Sequence, residues 1–263
     1  VGKYSTWLAC GLVAVAVVAA GAFVDRLLNA DFVFVLAFAA IAAAYLVGTF
    51  GATLPLFGSV VRTRREDGRF ALTFDDGPDP EFTPKISKLL AEREHRATFF
   101  VLGSHARKHP RILEQLLADG HELANHGYDH GLLAFSRPAA LRRQVQQTEE
   151  AILAATQRQP AQLFRAPHGV RSPWLGTTLT RLGYRVCGWT GSSFDTAKPG
   201  VDTIVERSCR RLQGGSILLL HDGDGSGRAD RRNQTVEALP AILDEAERRG
   251  LRSVWLSSLV ERP

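Results

Sequence analysis

From residue 69 onward the chain alternates short apolar runs with amphipathic stretches, and no other feature narrows its possible folds so far. Strand-like runs fall at 69–75, 97–103, 121–125, 162–166, 184–190, 216–221 and 253–257, with helix-like stretches at 83–93, 111–119, 138–156, 203–212 and 235–249 between them. Strand, helix, strand in regular order argues for a parallel sheet, because the helix returns the chain to the edge where the next strand starts. Seven such strand-like runs suit a barrel as readily as an open sheet. The sequence shows no internal repeat, and Gly-Asp-Gly-Ser-Gly at 223–227 reads as an exposed flexible loop.

Upstream the pattern changes. No charged residue lies in 7–24 or in 32–61, and only Asp25, Arg26 and Asp31 interrupt these runs. Each run reaches the roughly 20 apolar residues that cross a bilayer. Residues 1–61 are therefore expected to be a membrane anchor, a transmembrane helical hairpin with spans at about 7–24 and 32–55, and 62–263 a second domain. A cleaved signal peptide would also place Lys3 before an apolar run and small residues after it, but a second run follows too closely to favour that reading. Counting Lys3, Arg62, Arg64 and Arg65 on one side against Arg26 in the hairpin loop, the positive-inside rule favours a cytoplasmic domain on a bacterial-type inner membrane.

Residues 1–60 carry Lys3 and Arg26 against Asp25 and Asp31, so the formal charge of +5 belongs to the remainder. A basic domain beside a membrane suits anionic head groups or an anionic substrate. Nucleic acid is not expected, because the arginines lie on helix-like stretches without interleaved aromatics. Cys10, Cys187 and Cys209 have no paired spacing and imply no disulfide framework. Nothing in the sequence points to a protein partner.

Polar residues collect where the strands end. Asp75 and Asp76 close the first strand-like run, His126 follows the third, Arg165 ends the fourth, Asp195 follows the fifth and His221 ends the sixth. In parallel α/β barrels the chemistry gathers at the C-terminal ends of strands, so these residues would meet on one rim. Asp75 and Asp76 side by side repel unless something positive is near. His126 and His130, four apart, would share a face on a helical turn. Two imidazoles and one carboxylate make a three-ligand site with open positions, the usual arrangement for a catalytic divalent metal. One aspartate could then ligate the cation while its neighbour stays ionised as a base.

At this point the residues carry a resemblance. Over roughly 68–260 the chain resembles the polysaccharide deacetylases with the NodB homology domain, carbohydrate esterase family 4. Thr73 to Pro78 matches the TFDDGP motif, and His126 to His130 the H-S-x-x-H motif with Gly127 for Ser. Phe164 to Gly169 resembles R-x-P-Y-G with His168 for Tyr, and Leu218 to His221 resembles L-x-L-x-H. The resemblance implies a distorted barrel of seven or eight parallel strands and hydrolysis of N-acetyl groups from a glycan or lipid-linked sugar. It makes Asp76, His126 and His130 the ligands of a divalent ion, zinc before Co2+, Ni2+, Mn2+ or Fe2+, and Asp75 the general base. Arg165 would hold the Asp75 carboxylate, and His221, with Asp195 favouring its imidazolium form, would be the general acid. Pro167, His168, Trp189 and Leu219 become the substrate-binding candidates. Where the family carries an Asp-Trp pair this chain has Asp195 followed by Thr196, which puts the aromatic wall of the acetyl pocket in doubt; Trp189 or Trp174 could replace it.

Two other classes use part of this set. A non-haem iron oxygenase also takes two His and one carboxylate, but leaves Asp75, Arg165 and His221 without a role. A catalytically silent sugar-binding protein would account for the altered fourth motif, yet has no use for a poised acid and base.

Overall fold

A computed structural model describes residues 30–50, 63, 68–133, 136–225 and 232–260. The chain divides into two compact units, Val1–Val47 and Gly48–Pro263.

In the N-terminal region helix α1 runs Ala30–Phe50, with apolar side chains such as Phe34, Phe38 and Ile41 exposed. Its apolar residues show no preferred face. Among the described residues no helix is long and apolar enough to cross a membrane, so the expected hairpin is not supported here. Its first span, 7–24, lies outside the described residues, as do Lys3, Arg26, Arg62, Arg64 and Arg65.

The larger unit is a single parallel sheet flanked by helices. Its strands are β1 (Arg69–Asp75), β2 (Ala97–Val101), β3 (Glu122–Asn125), β4 (Leu163–Phe164), β5 (Arg185–Val186), β6 (Gly191–Ser192), β7 (Ile217–His221) and β8 (Arg252–Ser253). The order across the sheet is β5-β4-β3-β2-β1-β7-β6, with β8 pairing the start of β1. β1 is buried on both faces from Phe70 on, which is why it reads as a continuous apolar run. Phe74 and Phe99 stack at 5.1 Å on neighbouring strands, and helices Phe82–Glu92 and Asn233–Arg248 contribute Ile86, Leu90, Leu239 and Ile242 to the same core.

The expected distorted barrel takes the form of a curled parallel sheet, a half-barrel. Of the run expected as one strand, 184–190, only 185–186 is strand, β5 at one edge, and β6 follows just beyond the run at the opposite edge. Cys187 N–H donates to Phe164 O on one edge, and Thr190 N–H to Ile217 O on the other, so a short crossing of chain spans the gap. In between, Gly188 O accepts a bond from the Arg165 side chain instead of a ladder partner. The curl nonetheless gathers the strand ends. Asp75 sits in register with Phe100 and His221, and Asn125 with Phe164, so the loops that follow share one rim.

Candidate active site

Asp75 is the last residue of β1 and is buried. Its Oδ1 accepts Arg165 Nη1–H at 2.7 Å. Arg165, itself buried, also donates to Thr73 Oγ1 at 2.9 Å and to Gly188 O at 3.0 Å, with its guanidinium 4.1 Å from the Phe100 ring centroid. A cation held at so many points fixes the Asp75 carboxylate, leaving Oδ2 directed towards His126, whose Nε2 is 3.9 Å away.

Asp76 turns the other way. Its backbone is left-handed (φ 75°), an arrangement that costs a non-glycine residue about 1–2 kcal/mol. The turn carries Oδ1 to 3.2 Å from His126 Nε2 and 3.0 Å from His130 Nε2. The two histidines do not share a helical turn as expected. Asn125 Oδ1 accepts Gly127 N–H at 2.9 Å, Gly127 is left-handed at φ 82° and His130 at φ 61°, and the resulting loop brings the two rings within 5.4 Å. Glycine at 127 suits this backbone better than the serine of the motif.

These three side chains fit a metal ion. Their donor atoms lie within 4.8 Å of one another. His126 Nδ1–H donates to Arg165 O at 2.9 Å, which leaves Nε2 with its lone pair free to ligate. Asp76 Oδ1 is buried between the imidazoles, yet receives no properly directed hydrogen bond from any described residue. A buried carboxylate oxygen facing a bare imidazole nitrogen is costly unless a cation sits between them. Burial alone would raise Asp76, and positive charge placed at His126 and His130 holds it well below the usual carboxylate range, the same charge that a cation between them would supply.

The opposite side of the rim is built differently. His221 ends β7, and its Nδ1–H donates to Asp195 Oδ1 at 2.8 Å, so Nε2 is the free nitrogen. Asp195 Oδ2 accepts His221 N–H at 2.9 Å and Thr235 Oγ1–H at 2.8 Å. Burial pulls the His221 imidazole down, but Asp195, aided by Asp76 and Asp75, pushes it up to about 9. Asp195 is fully buried, which raises it, and His221, with help from Thr235 and Arg232, more than offsets that and holds it below its ordinary value.

A cleft of about 430 Å³ joins the two sides, lined by Asp75, Asp76, His126, His130 and His221 and walled by Trp189, Leu219 and Phe194. His168, left-handed at φ 59°, also lines it, its ring 4.3 Å from that of His130. Pro167 is buried outside the lining, and Trp174 is tied elsewhere, donating to Ser136 O at 2.8 Å. Sequence reasoning missed several supports. His105 Nδ1–H donates to Asp76 O at 3.0 Å, Arg232 Nε–H to Gly223 O at 2.6 Å, and Thr235 to Asp195 as above. Asp222, pushed up to about 7 by burial, accepts Thr83 Oγ1–H at 2.5 Å beneath the Asp76 turn. Among these only Asp222, adjoining the His221 motif, carried a signal in the sequence.

The sequence profile of the polysaccharide deacetylases matches residues 62–187. A chitooligosaccharide deacetylase of Sinorhizobium fredii is 38% identical over 184 residues, covering 68% of this chain and 86% of that one. The chain belongs to the polysaccharide deacetylase family. A peptidoglycan-N-acetylglucosamine deacetylase of Bacillus cereus is 35% identical over 192 residues, covering 72% and 87%. The solved structure of the Bc1960 peptidoglycan N-acetylglucosamine deacetylase superposes with a TM-score of 0.71 at 30% identity, over 76% of this chain and 91% of that one. A polysaccharide deacetylase is a hydrolase of sugar N-acetyl amides, and this membership sets aside the oxygenase reading. Within the polysaccharide deacetylase domain, Thr196 lines the cleft where the motif has Trp, and Trp189 supplies an indole there, packed so closely on Gly169 that a Cβ would collide with it.

Proposed function

We propose that the domain removes acetyl groups from N-acetylglucosamine oligomers or polymers, with Asp76, His126 and His130 holding a divalent cation and the domain extending over 62–263. The observation that carries this reading is the unsatisfied Asp76 Oδ1 between two imidazoles, on the same rim as a clamped carboxylate and a raised imidazole. Two His and one Asp favour zinc over harder cations. A bound cation supplies Lewis acidity towards water and the acetyl carbonyl. Asp75, oriented by Arg165, takes the proton as the water oxygen bonds to the acetyl carbon. His221, protonated below about 9, gives its Nε2 proton to the sugar nitrogen as the C–N bond breaks, so that acetate and a free amine leave. The chitooligosaccharide and peptidoglycan activities named for the relatives support N-acetylglucosamine as the sugar.

The test is acetate release by the full chain from chitotetraose and from peptidoglycan, before and after chelation. Release that stops on chelation and returns with zinc is expected; release that chelation leaves untouched would sink the proposal. The charge-free runs and the basic flank Arg62, Arg64 and Arg65 support a membrane anchor with the domain on the cytoplasmic side, where a lipid-linked N-acetylhexosamine lies within reach. A C-terminal alkaline phosphatase fusion is expected to be silent there, and high activity would place the domain outside.

A further inference from the structure

Phe194 lines the active-site cleft and remains 63% exposed. Its backbone is left-handed, φ 54° and ψ 37°, a conformation that glycine or asparagine adopts with far less strain than a bulky aromatic. A phenylalanine here is disfavoured twice, by its backbone and by its apolar surface in water. The turn itself has an evident purpose. Asp195 must point inward to His221, and the left-handed residue before it sends its own side chain outward into the cleft. That purpose asks for the turn and not for an aromatic ring.

The ring is also held. Arg207 lies with its guanidinium carbon 5.9 Å from the Phe194 centroid and donates Nη1–H to Ser193 O at 3.2 Å, so the cation steadies the turn from one side. Direction adds a constraint. His221 gives its proton to the amine nitrogen, that nitrogen is carried by the sugar, and the sugar therefore lies on the His221 side of the cleft. Phe194 is the exposed aromatic on that side, adjoining His221's own partner.

We infer that Phe194 is the platform on which a pyranose ring of the N-acetylated glycan stacks, and that it sets the preference for sugar substrates. The inference rests on the deacetylase reading above. An aromatic face offers apolar area to the C–H face of a sugar ring, and burying it on binding recovers the cost of leaving it exposed.

The test uses Phe194→Ala and Phe194→Tyr in the full chain, with chitotetraose and with ethyl acetate, an ester that carries no sugar ring. For Phe194→Ala the Michaelis constant for chitotetraose should rise roughly ten-fold, equivalent to about 1.4 kcal/mol, with kcat within about two-fold and far less effect on the ester. Phe194→Tyr keeps the ring and should restore the wild-type constant. An unchanged constant for chitotetraose overturns the inference. So does an equal loss on both substrates with a displaced pH profile, since Phe194 would then act through Asp195. If the wild type releases no acetate from any N-acetylated sugar, the deacetylase reading fails separately, and calorimetry with chitotetraose decides the platform: binding weakened about ten-fold by Phe194→Ala sustains it, and equal or absent binding overturns it.

Discussion

The two sides of the cleft solve opposite problems. On the metal side, Asp76 and His130 adopt left-handed backbones, and Asp76 Oδ1 faces two imidazole nitrogens without a directed hydrogen bond. On the acid side, Asp195 accepts from His221 Nδ1, His221 N and Thr235 Oγ1 and stands satisfied by protein alone. Both sides carry left-handed backbone, at Asp76 and His130 on one and at Phe194 on the other, but the metal side is electrostatically incomplete and the acid side is closed. The difference teaches that the first leaves a charge for the proposed cation to complete, while the second is preorganised by folding.

The largest effects should come from the incomplete side. His126→Ala or His130→Ala removes a ligand, and both zinc content and acetate release should be lost. Asp75→Asn should cost ~10² to 10⁴-fold in kcat with zinc content unchanged, because Arg165 and not the cation holds Asp75 in place. Loss of zinc from the Asp75→Asn variant, measured by elemental analysis, would show that the aspartates have been assigned the wrong way round.

Next in size is Asp195→Asn. His221 stands at about 9 chiefly because the neighbouring carboxylate outweighs burial, so removing that charge leaves burial to pull it down. The alkaline limb of the pH profile, near 9 in the wild type, should move towards neutrality, with a loss on the order of 10²-fold at pH 8. The same shift sets a stability signature. A histidine raised from about 6.5 in the unfolded chain binds its proton more tightly when folded, so its contribution is complete below that value and is lost as pH rises through about 9. Wild-type Tm should fall over that window, and the Asp195→Asn variant should lack that fall.

The metal side offers a subtler probe. A Cβ on Gly225 would collide with His130 Nδ1, and one on Gly223 with the Asp76 carbonyl, so this glycine loop packs directly on two ligand turns. Gly225→Ala should displace His130 and weaken zinc binding by ~10-fold, leaving the His221 limb of the pH profile in place. Competition with a chromogenic chelator measures it, and unchanged affinity would show that the loop only covers the site.

The parts legible in the sequence are those whose chemistry sits directly at a strand end. Asp75, Asp76, Arg165 and His221 could be placed on one rim because a parallel sheet brings its C-terminal ends together whatever its detailed curvature. The helix Pro138–Thr156 was readable to the residue from its polar and apolar spacing. Curvature was not readable. Strand pairing stops after 186 in the run 184–190, and there Gly188 O is taken by Arg165, a partner far along the chain that no local pattern marks. Helix Pro173–Arg181 was hidden by Gly176 and three threonines, weak helix formers that tertiary packing overrides. Thr235, His105 and Arg232 support the site from helices and loops, and no local pattern marks a residue whose partner lies so far along the chain.

The smallest effect should come from Thr235→Val, which tests whether the acid side is as closed as its geometry states. Thr235 lies in the first turn of helix Asn233–Arg248 and donates to Asp195 Oδ2, the same oxygen that accepts His221 N–H. Valine keeps the shape and removes the donor. Because Asp195 would still accept from His221 at both oxygens, its charge is not left bare, and the cost should be about 1–2 kcal/mol of stability, the range for a hydrogen bond to a charged group. With less stabilisation of the ionised carboxylate by Thr235, Asp195 becomes slightly more basic and still holds the His221 proton. The alkaline limb should therefore stay within about half a pH unit of the wild type, a displacement worth under ~1 kcal/mol, while kcat falls only a few-fold. A loss as large as that of Asp195→Asn would mean that Thr235, through the helix it begins, sets the position of Asp195, and that the acid side is no better preorganised than the metal side.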